Sequence, residues 1–536
     1  MNRRTLIRCI SLASLATGVS CSRASSRDGQ AENLPPGHDP RDFGALADGK
    51  TLDTAAIQAA IDAAASNLGR VNLTGAVFLS GSLILRSGIT FHIGSDATLL
   101  GSTDPAHYRS GRWPALLLAD SATDLHLSGK GTINGQGREL AGNIEKLLRA
   151  GKLSDPPDRK RPSERHRPQL IEFIRCRRSS VRDLTLRDAA CWVQTYRDCE
   201  DLVLEGLTVR STTYWNNDGI DLYDCRRVVV RDCDIDCSDD AICLKSAAPG
   251  KFCEDILVES CRLRASASAF KMGTSSHGGF RRITVRGLRI RDTYRSAVTL
   301  QSVDGGHIED IDVSDIVAEN TGNAFFIRIG QRVDGRAAGS IRNIRIRNLT
   351  ITVPATAPDA GYPHAGPPVR RPHNVIPASI VGLPEHSIEN VTLENIRITM
   401  PGGADPAVAH ISLDELHRLP DLPQRYPEFS MFGELPAWAL FLRHTRGIVV
   451  RQSRFDLESP DFRPALVLDR SVDTALDGIS LDRKSGRPLI AAHASPGLSI
   501  VNPPEPLGQA DLRQWGTQPT AQRDETHSRR DHPGNP

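Results

Sequence analysis

The chain has 536 residues, of which 66 are basic and 64 acidic, so its net charge is only +2. A balanced charge gives no overall field that would attract nucleic acid or an anionic membrane, which makes a polar or neutral partner the expectation. The length would accommodate several ordinary domains, but elongated repeat folds grow without that limit, and the internal pattern therefore decides the domain organisation.

Residues 1–30 have the layout of an export signal followed by a linker. A basic segment over residues 2–8 precedes a modest apolar run that ends at Cys21. Arg3 and Arg4 resemble a twin-arginine signal, and residues 18–21 resemble a loose lipoprotein cleavage site. We expect a periplasmic or secreted protein that is either soluble or tethered to the membrane by a lipid on Cys21, because no other stretch has the 18 or more apolar residues of a membrane span.

An alanine-rich run over residues 55–64 predicts a short amphipathic helix. Ile57 and Ile61 lie four residues apart in this run, and Asp53 or Thr54 precedes it as the N-cap. The first turn of a β-solenoid is an exposed edge, and a helix at this position can cover it.

From about residue 179 a short pattern recurs, with the order apolar, two polar, apolar, any, apolar. Its copies begin at Val181, Leu204, Val230, Val258, Val285, Val313, Ile346 and Leu393, with spacings of 23, 26, 28, 27, 28, 33 and 47 residues. Leucine-rich repeats have a similar period, but they need a Leu and Asn consensus that is absent here. The pattern predicts an all-β fold, a single-stranded right-handed parallel β-helix over residues 38–500 with a short N-terminal capping helix.

The lengthened spacings indicate loops inserted at turns of the coil, and in solenoids such loops gather on the binding face. Insertions are predicted near residues 138–168, 354–378 and 401–446, and the first contains a predicted helix over residues 139–148. The third carries Tyr426 and Trp438 and is expected to close one end of a cleft, as would suit an enzyme that acts on chain ends. Residues 505–536 have little apolar content and are predicted to be a disordered tail.

Nine of the eleven cysteines fall between Cys176 and Cys261. This odd number, confined to the repeats, argues against a disulfide framework. Cys233 and Cys261 occupy inward repeat positions, where a small apolar thiol stacks well. The prediction is buried free thiols with at most one or two bridges, and no CxxC pair supports a zinc site.

Two segments with the same pattern concentrate acidic residues. Residues 218–222 read Asp-Gly-Ile-Asp-Leu, and residues 240–244 read Asp-Ala-Ile-Cys-Leu. On successive turns of a coil, Asp218 and Asp240 would lie about 5 Å apart, with Asp239 beside them. Close carboxylates cannot all stay ionised, so that one acts as an acid while another remains a base. Glycosidic cleavage needs these two roles, and an inverting enzyme spaces them about 6.5–9.5 Å apart. The alternative interpretations are solvated turn caps and a calcium site.

A column of side chains beside the acids is expected to face outward. The inward positions are taken as Val193, Ile220, Ile242, Phe270, Val298 and Ile327, and the residues after them are Gln194, Asp221, Cys243, Lys271, Thr299 and Arg328. This arrangement predicts a groove with an acidic centre and a basic flank.

Residues 217–221 and 238–245 resemble the two acidic motifs of glycoside hydrolase family 28, the β-helical polygalacturonases and rhamnogalacturonases that hydrolyse pectin. With similar features at residues 42–45, 131–137 and 190–192, the resemblance covers about residues 40–460. It implies that Asp239 is the general acid and that Asp218 and Asp240 activate the water that inverts the anomeric carbon. A pectin-like polysaccharide or its oligomers is the expected substrate of a monomeric enzyme that needs no metal and no cofactor.

The chain departs from the polygalacturonase pattern at two places. Ser268 stands where the family has a histidine, and His277 can replace that histidine only if its loop folds back. Thr299 and Gln301 stand where an Arg-Ile-Lys motif binds a galacturonate carboxylate. The substrate-binding candidates are therefore His277, Lys271 and Arg328 as displaced anchors, Asn217 and Lys245 from the acidic motifs, and Trp215, which can stack on a sugar as can Trp192 and Tyr214.

Two other functions fit a β-helix with an acidic groove. A calcium-dependent polysaccharide lyase would release unsaturated sugars that absorb ultraviolet light and would lose activity with a chelator. A noncatalytic carbohydrate-binding solenoid would keep its glycan binding in Asp239→Asn and have no turnover to lose.

Overall fold

The structure is a computed structural model, and it describes residues 37–109, 113–157, 159, 161–358, 362, 376–407 and 411–516. The predicted export signal, the lipid acceptor Cys21 and most of the insertion at 354–378 lie outside the described residues. So does the part of the predicted tail from residue 517 onward.

Short strands form most of the regular structure. The strands are β1 (Asp48–Leu52), β2 (Arg70–Leu73), β3 (Val77–Ser80), β4 (Leu83–Ile84), β5 (Thr90–Ile93), β6 (Thr98–Gly101), β7 (Ala115–Asp120), β8 (His126–Ser128), β9 (Thr132–Asn134), β10 (Gln169–Ile174), β11 (Arg177–Arg182), β12 (Thr185–Arg187), β13 (Gln194–Arg197), β14 (Glu200–Glu205), β15 (Thr208–Ser211), β16 (Ile220–Tyr223), β17 (Arg226–Arg231), β18 (Asp234–Cys237), β19 (Ile242–Ser246), β20 (Cys253–Glu259), β21 (Arg262–Ala265), β22 (Phe270–Ser276), β23 (Gly279–Arg286), β24 (Arg289–Ser302), β25 (His307–Ile329), β26 (Ser340–Thr352), β27 (Ala378–Val381), β28 (Ile388–Met400), β29 (Leu440–Arg446), β30 (Val449–Arg451), β31 (Arg454–Leu457), β32 (Leu466–Val472), β33 (Ala475–Asp477), β34 (Ser480–Leu481), β35 (Ile490–His493), β36 (Ser499–Val501) and β37 (Leu512–Trp515). The helices are α1 (Thr54–Ala65) and α2 (Gly137–Arg149), with 3-10 turns at Pro40–Phe43, Pro105–His107, Glu164–His166, Leu413–Arg418 and Gln509–Asp511.

The strands stack in parallel as three sheets around one apolar core. Sheet A runs β1, β3, β6, β9, β12, β15, β18, β21, β24, β25, β26, β28, β31 and β34. Sheet B runs β2, β5, β8, β11, β14, β17, β20, β23, β25, β26, β28, β30, β33 and β36. Sheet C runs β4, β7, β10, β13, β16, β19, β22, β24, β25, β27, β29, β32, β35 and β37. The predicted parallel β-helix is confirmed.

The repeat identified in the sequence lies in sheet B. Its first positions pair in register from one turn to the next, beginning with Val181, Leu204 and Val230 and ending with Ile346 and Leu393. All of these side chains are buried in the core. Each of these branched apolar side chains packs against its counterparts in the neighbouring turns of the coil. This stacking explains why the pattern is regular enough to be recognised in the sequence.

Helix α1 covers the first turn of the coil. Ile57 and Ile61 are fully buried against the core, as predicted for its apolar face. Asp53 precedes the helix, but its carboxylate accepts hydrogen bonds from the amides of Leu46 (2.8 Å) and Ala47 (3.1 Å) instead of capping the helix. This aspartate therefore ties the entering chain to the capping helix.

All nine cysteines between Cys176 and Cys261 are buried free thiols, so that the described residues contain none of the bridges that the sequence left open. Among the described residues no helix is long and apolar enough to cross a membrane. The coil continues to Trp515, which means that the predicted tail starts too early at residue 505.

The third insertion covers a second apolar cluster on the outer face of sheet C. Phe326, Phe441 and Val467 point away from the coil interior, and the insertion packs on them with Leu416, Leu419, Phe429, Met431, Phe432, Leu435 and Ala437. This part of the chain is therefore built into the fold and is not a loose surface loop.

Arg328 holds that insertion in place and is not a substrate anchor, which corrects the prediction from sequence. The residue is only 1% exposed, and its guanidinium donates to the carbonyls of Val381 and Gly382 in the coil and of Asp421 and Leu422 in the insertion. A buried guanidinium with four carbonyl acceptors has no donor left at the surface for a ligand.

We expect Arg328→Met to lower the free energy of unfolding by about 3 kcal/mol, because it leaves several buried carbonyls without a donor. Urea unfolding measures this loss, and limited proteolysis should show faster cleavage within residues 411–437. Arg454→Met, at an exposed arginine on β31, should change stability by no more than about 0.5 kcal/mol. Equal stability of the two variants would contradict the tethering role.

Candidate active site

The three predicted acids meet at the start of neighbouring strands of sheet C. Asp218 precedes β16, Asp239 and Asp240 precede β19, and these strands pair through Ile220 and Ile242. One carboxylate oxygen from each acid lies within 4.8 Å of those of the other two. Asp218 and Asp240 are 4% and 3% exposed, whereas Asp239 is half-buried and faces the groove.

The spacing of the acids agrees with the value of about 5 Å expected from the sequence, but it is shorter than the spacing of an inverting pair. Inverting glycosidases with two carboxyl groups separate them by about 6.5–9.5 Å, and retaining enzymes by about 5–5.5 Å. The nearest carboxylate oxygens of the three acids all lie within 4.8 Å of one another, which is below the longer range. The parallel pairing of β16 with β19 explains this, because one turn of the coil advances only about 4.8 Å.

Two lysines supply the positive charge next to the acids. Lys245 Nζ lies 3.2 Å from Asp218 Oδ2 and 2.6 Å from Asp221 Oδ1. Lys271 Nζ lies 2.8 Å from Asp240 Oδ2. The structure thus brings both predicted lysines to the cluster, where each neutralises acids of the site.

The pKa of Asp240 is lowered, and its neighbours account for the direction. Burial acts to raise this pKa, but the Lys271 ammonium and the Arg295 guanidinium outweigh burial. The amide of Ser268 also donates to Asp240 Oδ1 at 2.9 Å and stabilises the anion. Ser268, which stands at the position of the family's histidine, therefore contacts the acids through its backbone.

The pKa of Asp239 is raised by burial and then by the negative charge of Asp240, against the opposing effect of Arg295 and Lys271. Burial also raises the pKa of Asp218 well above its usual value, although Lys245 acts in the opposite direction. The cluster therefore contains one carboxylate held as an anion, Asp240, beside two that retain protons more readily.

The first insertion forms the wall of the groove on one side of the acids. Arg167 is fully buried and donates to the carbonyl of Trp215 (2.9 Å), the carbonyl of Ala190 (3.0 Å) and Asn216 Oδ1 (2.8 Å). The guanidinium of Arg161 stacks on the Trp215 ring at 5.3 Å. Trp215, a partly exposed aromatic side chain, is thus held beside the acids by the segment that follows helix α2.

A second aromatic surface lies next to Lys245. Lys245 Nζ is 5.1 Å from the ring centre of Trp192, and the rings of Trp192 and Trp113 are 4.9 Å apart. Both tryptophans are partly exposed, so they can contact a sugar that reaches the acids from this side.

The third insertion reaches the acids from the opposite side, which the sequence predicted only as the end of a cleft. Glu428 pairs with Arg295 at 2.8 Å, and the Thr274 hydroxyl donates to the Tyr426 hydroxyl at 3.1 Å. The register of β24 shifts between Thr293 and Ser296, where Arg295 lies. Arg295 and Glu428 were not predicted from the sequence, because neither a strand irregularity nor a contact across more than a hundred residues leaves a local signal.

Two of the predicted binding residues are not available to a ligand. Asn217 is fully buried, with its amide nitrogen bonded to the carbonyls of Ala189 (3.0 Å) and Cys191 (2.8 Å) and its oxygen to the Ser211 hydroxyl (2.9 Å). Arg328 is the other, because its guanidinium donates to backbone carbonyls of the coil and of the third insertion. Asn216, the neighbour of Asn217, contacts the site instead, since its Nδ2 lies 3.4 Å from Asp239 Oδ2.

His277 lies outside the acid cluster. The register pairs Ser246 with Ser276, which puts His277 at the far end of β22, on the order of 20 Å of strand away from Asp240. There His277 lies 3.9 Å from Asp304 and 3.5 Å from Arg336. The loop does not fold back, and His277 does not replace the family's histidine.

The outward column differs from its prediction at both ends. The observed register pairs Asp221 with Thr195 and not Gln194, and it pairs Thr299 with Phe326 and not Arg328. The middle of the column, Asp221, Cys243, Lys271 and Thr299, is as predicted. The errors come from bulges and from unequal turn lengths, which shift the register by one or two residues.

The three acids are a group of carboxylates that could hold a metal ion. The two lysines beside these acids make a metal site unfavourable. Lys245 and Lys271 lie 3.2 Å and 2.8 Å from two of the three acids, and a divalent cation would have to share these oxygens with two ammonium groups. The donor set therefore fits a proton-transfer site better than a calcium site.

Comparisons with known proteins show what this chain resembles. The model of the family "Glycosyl hydrolases family 28" matches residues 54–262. A probable polygalacturonase of Vitis vinifera is 27% identical over 335 residues, which are 58% of this chain and 60% of that protein. The match therefore spans less than two thirds of that relative's length.

Solved structures share the fold. The exopolygalacturonase of Thermotoga maritima aligns with a TM-score of 0.55 and 22% identity over 70% of this chain and 89% of that one. The family 28 exopolygalacturonase of Yersinia enterocolitica aligns with a TM-score of 0.52 and 18% identity over 87% of this chain and 78% of that one. At these identities the likeness concerns the β-helix alone. The match covers residues 54–262, which contain the two acidic motifs, and over this segment the chain is similar to glycosyl hydrolase family 28.

Proposed function

We propose that this protein is a glycoside hydrolase that cleaves a pectic polysaccharide or its oligomers. The proposal rests on one observation: the surroundings of three adjacent acids shift their pKa values in different directions. Lys271 and the Ser268 amide favour the anion of Asp240, while burial favours the protonated form of Asp239. One acid ready to donate a proton beside another ready to accept one is what glycosidic cleavage requires.

In the proposed reaction Asp239 donates its proton to the leaving oxygen as the bond from that oxygen to the anomeric carbon breaks. A water oxygen bonds to the anomeric carbon, and the proton released from that water passes to Asp240. Asp218 orients this water. Its Oδ1 is buried and accepts no hydrogen bond from the described residues, whereas its Oδ2 lies 3.2 Å from Lys245.

We further propose that the reaction inverts the anomeric carbon. Both oxygens of Asp240 already accept hydrogen bonds, from Ser268 and from Lys271, which makes this carboxylate a poor nucleophile. The short distance between the acids argues the other way, since about 5–5.5 Å is typical of retaining enzymes. The third acid supports inversion despite this spacing, because Asp218 Oδ1 accepts no hydrogen bond from the described residues and can bind a water that a two-acid site of this spacing would lack.

The charges around the acids favour a neutral sugar on the side of the third insertion. Each nearby cation is already paired within 2.8 Å: Lys245 with Asp221, Lys271 with Asp240, and Arg295 with Glu428. Thr299 and Gln301 add no charge. A uronate bound here would have to displace an internal carboxylate, so the substrate proposed is rhamnogalacturonan, in which neutral sugars alternate with galacturonate, rather than homogalacturonan.

The same insertion lines the groove on one side of the acids. Tyr426 and Glu428 contact Thr274 and Arg295, beside the acids. A polysaccharide that runs along sheet C would contact this segment on one side of the acids and Trp113 and Trp192 on the other.

Asp239→Asn should lower kcat for rhamnogalacturonan oligomers by about 10²–10⁴-fold, because it removes the general acid. Reducing-end release measures turnover, and Asp255→Asn, at an exposed acid on another face, is the matched control with unchanged activity. Homogalacturonan should be cleaved more slowly than rhamnogalacturonan by the parent protein. Products that absorb ultraviolet light, together with loss of activity in a chelator, would identify a lyase and contradict hydrolysis.

The pH profile of kcat/KM should be bell-shaped. Activity is present while Asp239 is protonated and is lost as the pH rises through its raised pKa, and it is also lost as the pH falls through the lowered pKa of Asp240. Lys271→Met removes the cation that lowers the Asp240 pKa, which should move the acidic limb to higher pH. Lys251→Met, at an exposed lysine, should leave both limbs in place. An acidic limb that stays in place in Lys271→Met would exclude Asp240 as the base.

The stereochemical course can be read directly by proton NMR of the first product formed. We expect an anomer opposite to that of the bond cleaved, appearing before mutarotation. A first product with the original configuration would mean that one of the acids attacks carbon, as the short spacing taken alone suggests.

A further inference from the structure

A cationic cavity lies on the outer face of sheet C, away from the acids. Its volume is about 660 Å³. Four arginines and two histidines line it against a single carboxylate, namely Arg418, Arg443, Arg446, Arg470, His417, His444 and Asp421. The proposed hydrolytic mechanism uses none of these side chains.

The cavity is well separated from the acids but lies on the same face. Between β19 and β29 sheet C advances by five pairings, through β22, β24, β25 and β27. At about 4.8 Å for each pairing the separation along the coil is roughly 24 Å. Arg443 lies two residues after Phe441, whose side chain belongs to the outer apolar cluster, so both point to the outer side. A polysaccharide can span this distance, whereas a single sugar cannot.

The buried cations of the cavity lack enough acceptors. Arg443 is 3% exposed and pairs with Asp421 (2.9 Å) and Asp469 (3.4 Å), yet its Nε and Nη1 make no hydrogen bond within the described part of the chain. Nε2 of His444, which is 5% exposed, also has no hydrogen-bond partner there. Buried donors of this kind are unfavourable unless a ligand supplies oxygen atoms.

The two nearest carboxylates are already shared. Asp469 lies 3.2 Å from Arg470 and 2.8 Å from His493, in addition to its contact with Arg443. Asp421 lies 3.4 Å from His444 as well as beside Arg443. These shared carboxylates leave Nε and Nη1 of Arg443 and Nε2 of His444 without a hydrogen bond in the described part of the chain, which favours a ligand that supplies oxygen atoms.

We propose that this cavity binds the carboxylate of an acidic sugar and anchors a part of the polysaccharide remote from the bond that is cleaved. Guanidinium groups bind carboxylate and phosphate oxygens in the same forked geometry, so the shared chemistry is that of a small oxyanion. The choice of a uronate among oxyanions rests on the proposed function. The anchor complements a catalytic groove whose own cations are already neutralised.

The test is calorimetric titration of the full-length Asp239→Asn protein with trigalacturonate, with inorganic phosphate and with a neutral trisaccharide. We expect trigalacturonate to bind, and to bind about tenfold or more weakly when Arg446→Gln and Arg470→Gln are combined. The matched control combines Arg397→Gln and Arg454→Gln, which remove the same charge from exposed positions outside the cavity. Arg418→Gln, on the 3-10 turn at its rim, gives an independent variant should the first pair impair folding.

The outcomes separate the two proposals. Equal trigalacturonate affinity in the cavity variants and the control would overturn the anchor site. A neutral trisaccharide that binds as tightly as trigalacturonate would also overturn the anchor site. Phosphate that binds more tightly than trigalacturonate would overturn the assignment to a uronate. Because hydrolysis is not part of this readout, failure of Asp239→Asn to reduce turnover would refute the proposed function while leaving the binding result intact. With short oligomers the cavity variants should keep the kcat of the parent protein.

Discussion

The parallel register of sheet C is the constraint on which the site depends. Every turn of the coil sets a residue about 4.8 Å from its counterpart on the turn before, so chemically similar residues at one position become a column of close neighbours. For apolar residues such as Ile220 and Ile242 this gives a continuous core. For Asp218 and Asp240 it forces carboxylates together at a distance where they cannot all be ionised.

The same register also places positive charge beside these acids, which offsets their repulsion. Lys245 and Lys271 come from the strands that carry or follow the acids, and each forms ion pairs at 3.2 Å or less. Buried ion pairs of this kind contribute little net stability, since desolvation offsets most of the attraction. Their effect here is functional: they make neighbouring carboxylates unequal, because the pKa of Asp240 is lowered while the pKa of Asp239 is raised.

A stack of strands offers only a broad face, and the insertions turn that face into a groove. Both walls are held by the same device, a buried arginine whose guanidinium donates to several carbonyls. Arg167 fixes the segment that carries Trp215, and Arg328 fixes the segment that follows the 3-10 turn and leads to Tyr426 and Glu428. Arg443 is a third buried arginine on this face, but it differs because two of its nitrogens have no acceptor among the described residues. That difference is why Arg167 and Arg328 are structural while Arg443 belongs to a binding cavity.

The sequence by itself determined the coil, its repeat positions, the capping helix and the three acids, because each depends on a local pattern that recurs at a nearly constant interval. It also located Lys245 and Lys271, which lie in strands close to the acids in the chain. Only the tertiary structure decided that Arg328 and Asn217 are buried supports, that His277 lies at the wrong end of its strand, and that Arg295 and Glu428 belong to the site. These facts depend on bulges, on turn lengths and on contacts between segments more than a hundred residues apart, for which a single sequence carries no periodic signal.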